Sequence, residues 1–467
     1  MNSYFKKFLS ISLVLLLLMS ALLGCSGSND NLNGKTGKNE TNDTQVGEEQ
    51  GNGKGTSDAQ EEHYDFGGRT IRYSAWWDLE PEPGSSKSAD DFLNRVAELE
   101  EKYNFKLEYI NLPADQYLEQ YVASNLAGEP FADVTIMASY WFYPGLVMNG
   151  FLYPLSDLKA FDFSEEKWEV TTKELTTYQG KIYGCEAGKF FPRAGLFWNK
   201  TMFEREGLPN LYELQRNKEW TWDKMIEIGK KVTKDTDGDG VIDQWGFGGI
   251  YTEWSFILSN NAAVIKDVDG KPVFALDEPN AIEALQMIQD IGLVHKIKPT
   301  EGDPTQLFID GKLAMYNYQW WITDQLQPNM QDDYGFVFFP MGPKANDYVS
   351  EVYETNFVSF PSAVKDPEQV AIFWNEMTEP YPDEQPDDWK ENHYNRARDT
   401  EAVDETITMM LEGRSKFNPL RGFSDAEKIV TENIIWPVAG GSKTPKAAVE
   451  ESKQQVQMLI DDAISAE

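Results

Sequence analysis

The sequence predicts an α/β protein of two lobes joined by a hinge. Three observations carry this expectation. The chain has 467 residues, more than one compact domain usually holds. Strand and helix patterns alternate from residue 69 to 138, and a crossing marked by Gly and Pro occupies residues 180–207, where one short strand gives way to another.

Taken in order, residues 1–24 carry Lys6 and Lys7, an apolar run over 11–23, and Gly24 before Cys25. A basic start, a short apolar core and a small residue before the cut describe a secretory signal, too short for a stable membrane span. Residues 26–62 contain no aromatic side chain and are rich in Asn, Gly, Thr, Glu and Asp. Such a segment cannot bury a core, so residues 25–63 read as a flexible tether.

Folded composition begins at Tyr64. Residues 69–75 alternate as a strand and end on Trp76-Trp77-Asp78; residues 89–103 place Phe92, Val96, Leu99 and Tyr103 on one helical face. A strand at 105–110, a helix at 115–127 and a strand at 132–138 complete a βαβαβ unit that empties into Ser139-Tyr140-Trp141. This order implies a parallel sheet whose ligands sit beyond the carboxyl ends of the strands. Past the crossing come a strand at 194–198, a helix stopped by Gly207, and a helix opened by Trp220-Thr221-Trp222-Asp223 with Thr221 as N-cap. Further patterns give a helix at 280–292, an acidic loop at 380–388, and helices at 401–412 and 444–464, the last with Thr444 as cap and Pro445 at its first position.

Charge narrows the partners. With 42 Lys plus Arg against 77 Asp plus Glu, the formal net charge is -35, a field that repels nucleic acid and anionic headgroups. Two cysteines make no disulfide framework. His63, His295 and His393 show no metal or triad spacing and read as surface residues. No nucleophile elbow, phosphate loop or dinucleotide fingerprint occurs.

One loop has the pattern of a cation site. Asp235, Asp237 and Asp239 stand at positions 1, 3 and 5, Gly240 at 6 and the carbonyl of Val241 at 7, as a hard cation with oxygen ligands requires. Position 12 is Gly246 where a bidentate Glu is expected, so the loop reads either as a structural Ca²⁺ site or as an acidic run of Asx turns.

Several motifs occur in one order: Gly150-Phe151-Leu152-Tyr153-Pro154-Leu155, Trp198-Asn199-Lys200, Trp220-Thr221-Trp222-Asp223, Phe308 through Met315 with Gly311-Lys312 at its centre, and Tyr334 through Pro340. Together they resemble the sugar-type extracellular solute-binding proteins that feed ABC importers, with Trp198 where that family usually has Tyr. The resemblance implies a periplasmic-binding-protein-like fold, with lobe 1 at 64–186 plus about 346–385 and lobe 2 at 187–345 plus about 386–467. It also implies a monomer without catalysis, hinge closure around a carbohydrate of oligosaccharide size, and delivery to a permease. Gly24-Cys25 resembles a bacterial lipobox, which implies a lipid on Cys25 and anchorage at the outer face of the cell membrane. In some such relatives Asp243 and Gln244 positions complete the Ca²⁺ set.

The 14 tryptophans supply candidate platforms for sugar rings. The pairs Trp76-Trp77, Tyr140-Trp141 and Trp320-Trp321 fall where the family's cleft is lined, with Trp254 and Trp198 as weaker candidates. Adjacent residues cannot share one strand face, so at least one member of each pair belongs at the surface or in the cleft. Core packing is the alternative for any single ring. Asp78, Arg193 and Glu351, with Glu186 and Asn317, are candidates for hydroxyl groups. A secreted glycoside hydrolase, or a binding protein for a non-sugar solute, are the rival readings.

Overall fold

The computed structural model describes residues 64–188, 194–250, 252–269, 271–352, 355–382 and 388–465. Cys25, the tether, His63 and Arg193 lie outside the described residues. None of the described helices is long and apolar enough to cross a membrane.

The first lobe is built on the βαβαβ unit. Arg69–Ala75 lies parallel to Phe105–Asn111, in register from Arg69↔Phe105 to Ala75↔Asn111, and parallel to Val134–Ala138. Asn356–Ser359 pairs antiparallel with Val134–Ala138, giving the strand order 356–359, 134–138, 69–75, 105–111. Val134–Ala138 is buried at every residue because it is central, while the edge strand Phe105–Asn111 alternates between cover and solvent. Helix Lys87–Tyr103 starts where the Ser86 side chain accepts from Ala89 N at 3.1 Å and ends at Asn104 in the left-handed region. Val96, Leu99 and Tyr103 are buried along its inner face.

The second sheet departs from the parallel-rich expectation. Ala194–Asn199 is flanked antiparallel by both Tyr334–Val337 and Leu313–Gln319, and only Leu313–Gln319 with Trp245–Gly249 is parallel. Hydrophobic periodicity marks a strand but carries no direction, so the mixed pairing was invisible to it. Close approach explains Gly195: a Cβ there would lie 2.3 Å from the Phe336 ring. The Phe308 motif comprises the end of a short helix, Pro304–Ile309, a turn at Gly311 with φ +70°, and the start of strand Leu313–Gln319. Thr221 caps helix Trp222–Val232, and Trp222 is buried with its Nε1 donating to Ser259 Oγ at 3.0 Å.

Ser350–Val352 pairs in parallel with Ser415–Phe417, its Ser350 hydroxyl donates to the Ala194 carbonyl at 2.7 Å, and the chain rejoins the first sheet at Asn356. Each sheet has its own apolar core, one around Ile71, Phe105 and Phe373, the other around Phe197, Phe247 and Tyr316.

His393 is not a surface residue. It is buried, with its ring 6.1 Å from Trp320 and 5.9 Å from Trp389, and burial pulls its imidazole down to about 4.

Candidate functional site

The carboxyl ends of Arg69–Ala75 and Val134–Ala138 deliver a cluster of rings. Trp76 meets Trp77 edge-on at 4.8 Å, Trp141 at 4.9 Å and Tyr117 at 5.4 Å, while Tyr117 stacks on Trp141. Tyr117 is buried and fixed by a 2.7 Å hydrogen bond between its hydroxyl and Ser74 Oγ, so the cluster has a rigid floor. Trp76 and Trp141 are half-buried on that floor, and Trp77 is 38% exposed. Asp78 is exposed and accepts from Glu80 N at 3.2 Å. The cluster thus presents aromatic surface with a carboxylate at its margin, which suits the C–H face and hydroxyl rim of a sugar.

Tyr140 faces the other lobe. The guanidinium of Arg421 lies 4.6 Å from its ring centroid, and two residues on, Phe423 meets Tyr143 edge-on at 5.8 Å. Between these contacts Gly422 touches the Tyr143 carbonyl so closely that a Cβ would stand 2.0 Å from the oxygen. Gly422 has no positive φ; space alone demands glycine here. Beside this contact is a cavity of about 660 Å³, lined by Phe142, Tyr143 and Tyr178 on one side and Ile265, Phe417 and Phe423 on the other. Sequence reasoning missed the 418–423 segment, although Asn418-Pro419 and Gly422 are punctuation that sets it apart from the helices around it.

The second lobe divides the remaining candidates. Trp321 is 39% exposed, with its Nε1 donating to Gln319 Oε1 at 2.7 Å. Gln319 is the register partner of Ala194, so Trp321 stands at the end of the sheet nearest the crossing. Trp320 does not line a cleft: it is 4% exposed, stacked on Phe197 at 6.0 Å and edge-on to Phe336 at 4.9 Å. Trp198 is core in the same way, against Phe203 and Tyr212. Trp254 is buried too, at 6%, but it borders a recess of about 30 Å³ together with Glu351, Phe417 and Asn418. Asn317 is buried and committed, donating to Gly195 O at 2.8 Å and accepting from Ser255. Glu186 is exposed.

In the acidic loop, carboxylate oxygens of Asp235, Asp237 and Asp239 lie within 4.8 Å of one another, an arrangement able to hold a metal ion. Asp235 accepts from the backbone N–H groups of Gly240 and Gly238 at 2.7 and 2.6 Å, which holds its carboxyl below the usual range. The other two side chains expected here are engaged elsewhere. Asp243 accepts from both the backbone N and the hydroxyl of Thr236. Gln244 is buried, accepting from Arg205 at 2.7 Å and donating to Val232 O at 2.8 Å. Val241 has an exposed side chain and donates its N–H to Asp239 Oδ1 at 2.7 Å.

Comparison with known proteins agrees with this architecture. Residues 83–380 match the family described as bacterial extracellular solute-binding protein. None of the curated proteins matches the chain. Among solved structures, an ABC substrate-binding protein of Listeria monocytogenes in complex with cycloalternan is 16% identical, with 84% of this chain and 99% of that one covered and a TM-score of 0.61. The maltose/maltodextrin-binding domain MalE of Bdellovibrio bacteriovorus bound to maltotriose is 19% identical, covering 85% and 99% with a TM-score of 0.57. A solute-binding protein of Thermotoga lettingae bound with α-D-tagatose is 18% identical, covering 84% and 100% with a TM-score of 0.55. At these identities the likeness is one of fold.

Proposed function

Because the chain belongs to the bacterial extracellular solute-binding proteins, we propose that it is the ligand-capturing component of an ABC importer and that its ligand is a carbohydrate. The observation that carries this reading is the ring cluster of Trp76, Trp77, Tyr140 and Trp141 at the strand ends of one lobe, opposite a segment of the other. Sugars are gripped by such surfaces because one ring face is apolar while the rim carries hydroxyls. The sugars named for its structural relatives point the same way. Trp321, Asp78 and Glu351 complete the proposed contacts, with Arg193 from the crossing.

Binding is by closure: a ligand held by both lobes favours the closed form, and no covalent step follows. The lobes move about the points where the chain crosses between them, with the first lobe at 64–186 plus about 346–385 and the second at 187–345 plus about 386–467. Secretion on the 1–24 signal, a lipid on Cys25 and the tether after it would hold this monomer at the outer face of the membrane beside its permease. The Asp235, Asp237 and Asp239 oxygens would take Ca²⁺ as a structural ion, a hard cation matched to carboxylates.

Calorimetric titration with maltotriose and a panel of neutral oligosaccharides tests the reading, with reducing ends assayed in the same samples. Saturable heat without new reducing ends is expected. Release of product would make the protein a hydrolase, and binding confined to peptides or amines would replace the carbohydrate with another solute.

A further inference from the structure

Glu351 is a buried carboxyl group. It is 4% exposed on the short strand Ser350–Val352, and its Oε1 accepts from Asn418 Nδ2 at a long 3.4 Å. No ion pair reaches it among the described residues. Its register partner Lys416 is exposed, and Arg414 is paired with Asp347 at 3.5 Å. From helix Thr252–Ser259 the charged group that acts on it is Glu253, a second acid. Strand Ala194–Asn199, packed on its other flank, brings no charged side chain. An ionised carboxylate in this place would be desolvated and repelled at once. Burial foremost, with Glu253 adding to it and Asn418 opposing, pushes the carboxyl up to about 8.

The acid is not sealed off. It borders the 30 Å³ recess with Trp254, and Phe417 and Pro419 line both that recess and the larger cavity between the lobes. A space of this size holds about one water or one hydroxyl group.

We propose that Glu351 works as a neutral carboxylic acid which exchanges hydrogen bonds with one ligand hydroxyl seated in this recess, so that ligand capture is linked to pH. The proposal rests on the carbohydrate reading above. A neutral carboxyl offers one O–H donor and a carbonyl acceptor, a hydroxyl offers the complement, and the pair forms without burying charge. The ionised form offers acceptors only and must lose its water to be used.

Two measurements test this. The infrared difference between the ligand-free wild type and Glu351→Gln should show the C=O stretch of a protonated carboxyl near pH 6, lost by about pH 10. Its absence near pH 6 would overturn the proposal whatever the ligand. Titration with maltotriose and the neutral panel should then give a wild-type affinity that falls roughly tenfold between about pH 7 and about pH 9, whereas Glu351→Gln, which keeps a donor and an acceptor, binds within about threefold of wild type and is flat with pH. A hundredfold loss in Glu351→Gln near pH 6 would instead mean that the carboxylate charge is what the ligand reads, against the proposal. If no oligosaccharide binds either protein, the carbohydrate reading falls and the hydroxyl partner with it, and the infrared band alone still decides the state of the acid.

Discussion

Replacing Trp320 and Trp321 one at a time should separate stability from binding at adjacent positions. Trp320 is 4% exposed and fills the space between Phe197, Phe336 and His393. Removing such an indole from a packed core costs about 3–5 kcal/mol, the transfer term plus the cavity left behind. With a urea dependence of about 3 kcal/mol per molar, the unfolding midpoint of Trp320→Ala should drop by roughly 1 to 1.7 M. Trp321 is 39% exposed and holds one edge contact with Tyr318 and one hydrogen bond with Gln319, so Trp321→Ala should cost less than about 1 kcal/mol of stability. On the proposed reading of Trp321 as a platform at the cleft, it should instead cost about 1 to 3 kcal/mol of ligand binding, ten- to hundred-fold in affinity. Urea unfolding followed by far-ultraviolet circular dichroism, paired with maltotriose titration, reads both. A wild-type midpoint in Trp320→Ala together with a large drop in Trp321→Ala would invert the assignment of the pair.

Other substitutions probe the remaining features. Glu351 keeps its proton to about 8 when folded but gives it up near 4.5 when unfolded, so the native state binds more protons between those values and stability falls as pH rises through that window. Glu351→Gln should therefore match wild type below about pH 4.5 and exceed it increasingly up to about pH 8, by at most about 5 kcal/mol; a pH-independent difference in urea midpoints would refute this. At the contact between the lobes, Gly422→Val places a side chain where a Cβ already stands 2.0 Å from the Tyr143 carbonyl, and should hold the lobes apart. A larger radius of gyration by small-angle X-ray scattering with an unchanged circular dichroism spectrum is expected, and an unchanged radius would show that the contact does not limit closure. For the acidic loop, adding Ca²⁺ to metal-stripped protein at a hundred times its dissociation constant should stabilise the fold by about 2.7 kcal/mol, seen as a raised melting midpoint that a chelator reverses. No shift and no bound metal would leave the loop as Asx turns.

What the sequence told depended on how local each signal was. The βαβαβ order of the first lobe and the Thr221 cap follow from periodicity and from a side chain bonding within its own turn, so both could be read directly. The orientation of a tryptophan pair at a strand end is a tertiary matter. Trp320 turns inward because Phe336 and His393, distant in sequence, build a slot for it, and no pattern at 318–322 announces that. Arg421 and Gly422 were missed for the same reason, since what they meet is Tyr140 and Tyr143, nearly three hundred positions earlier. Glu351 was visible as a polar candidate, yet only the burial of its strand shows that it differs chemically from an exposed acid such as Asp78.

The antiparallel strand Asn356–Ser359 also governs the order in which this polypeptide can mature. Thr135 is bonded through its hydroxyl to Ser359, 224 residues later, so Val134–Ala138 has an unpaired edge until the intervening part of the second lobe has been synthesised. Closing a loop of that span precedes any reward from the contact, which places the first lobe among slow-folding topologies. Under the export proposed above, slowness would be useful: a lobe that cannot finish its sheet early remains extended enough to be threaded through a translocation channel. The same dependence makes a truncation before Asn356 hazardous, because it would leave an apolar strand edge open to pairing with another copy.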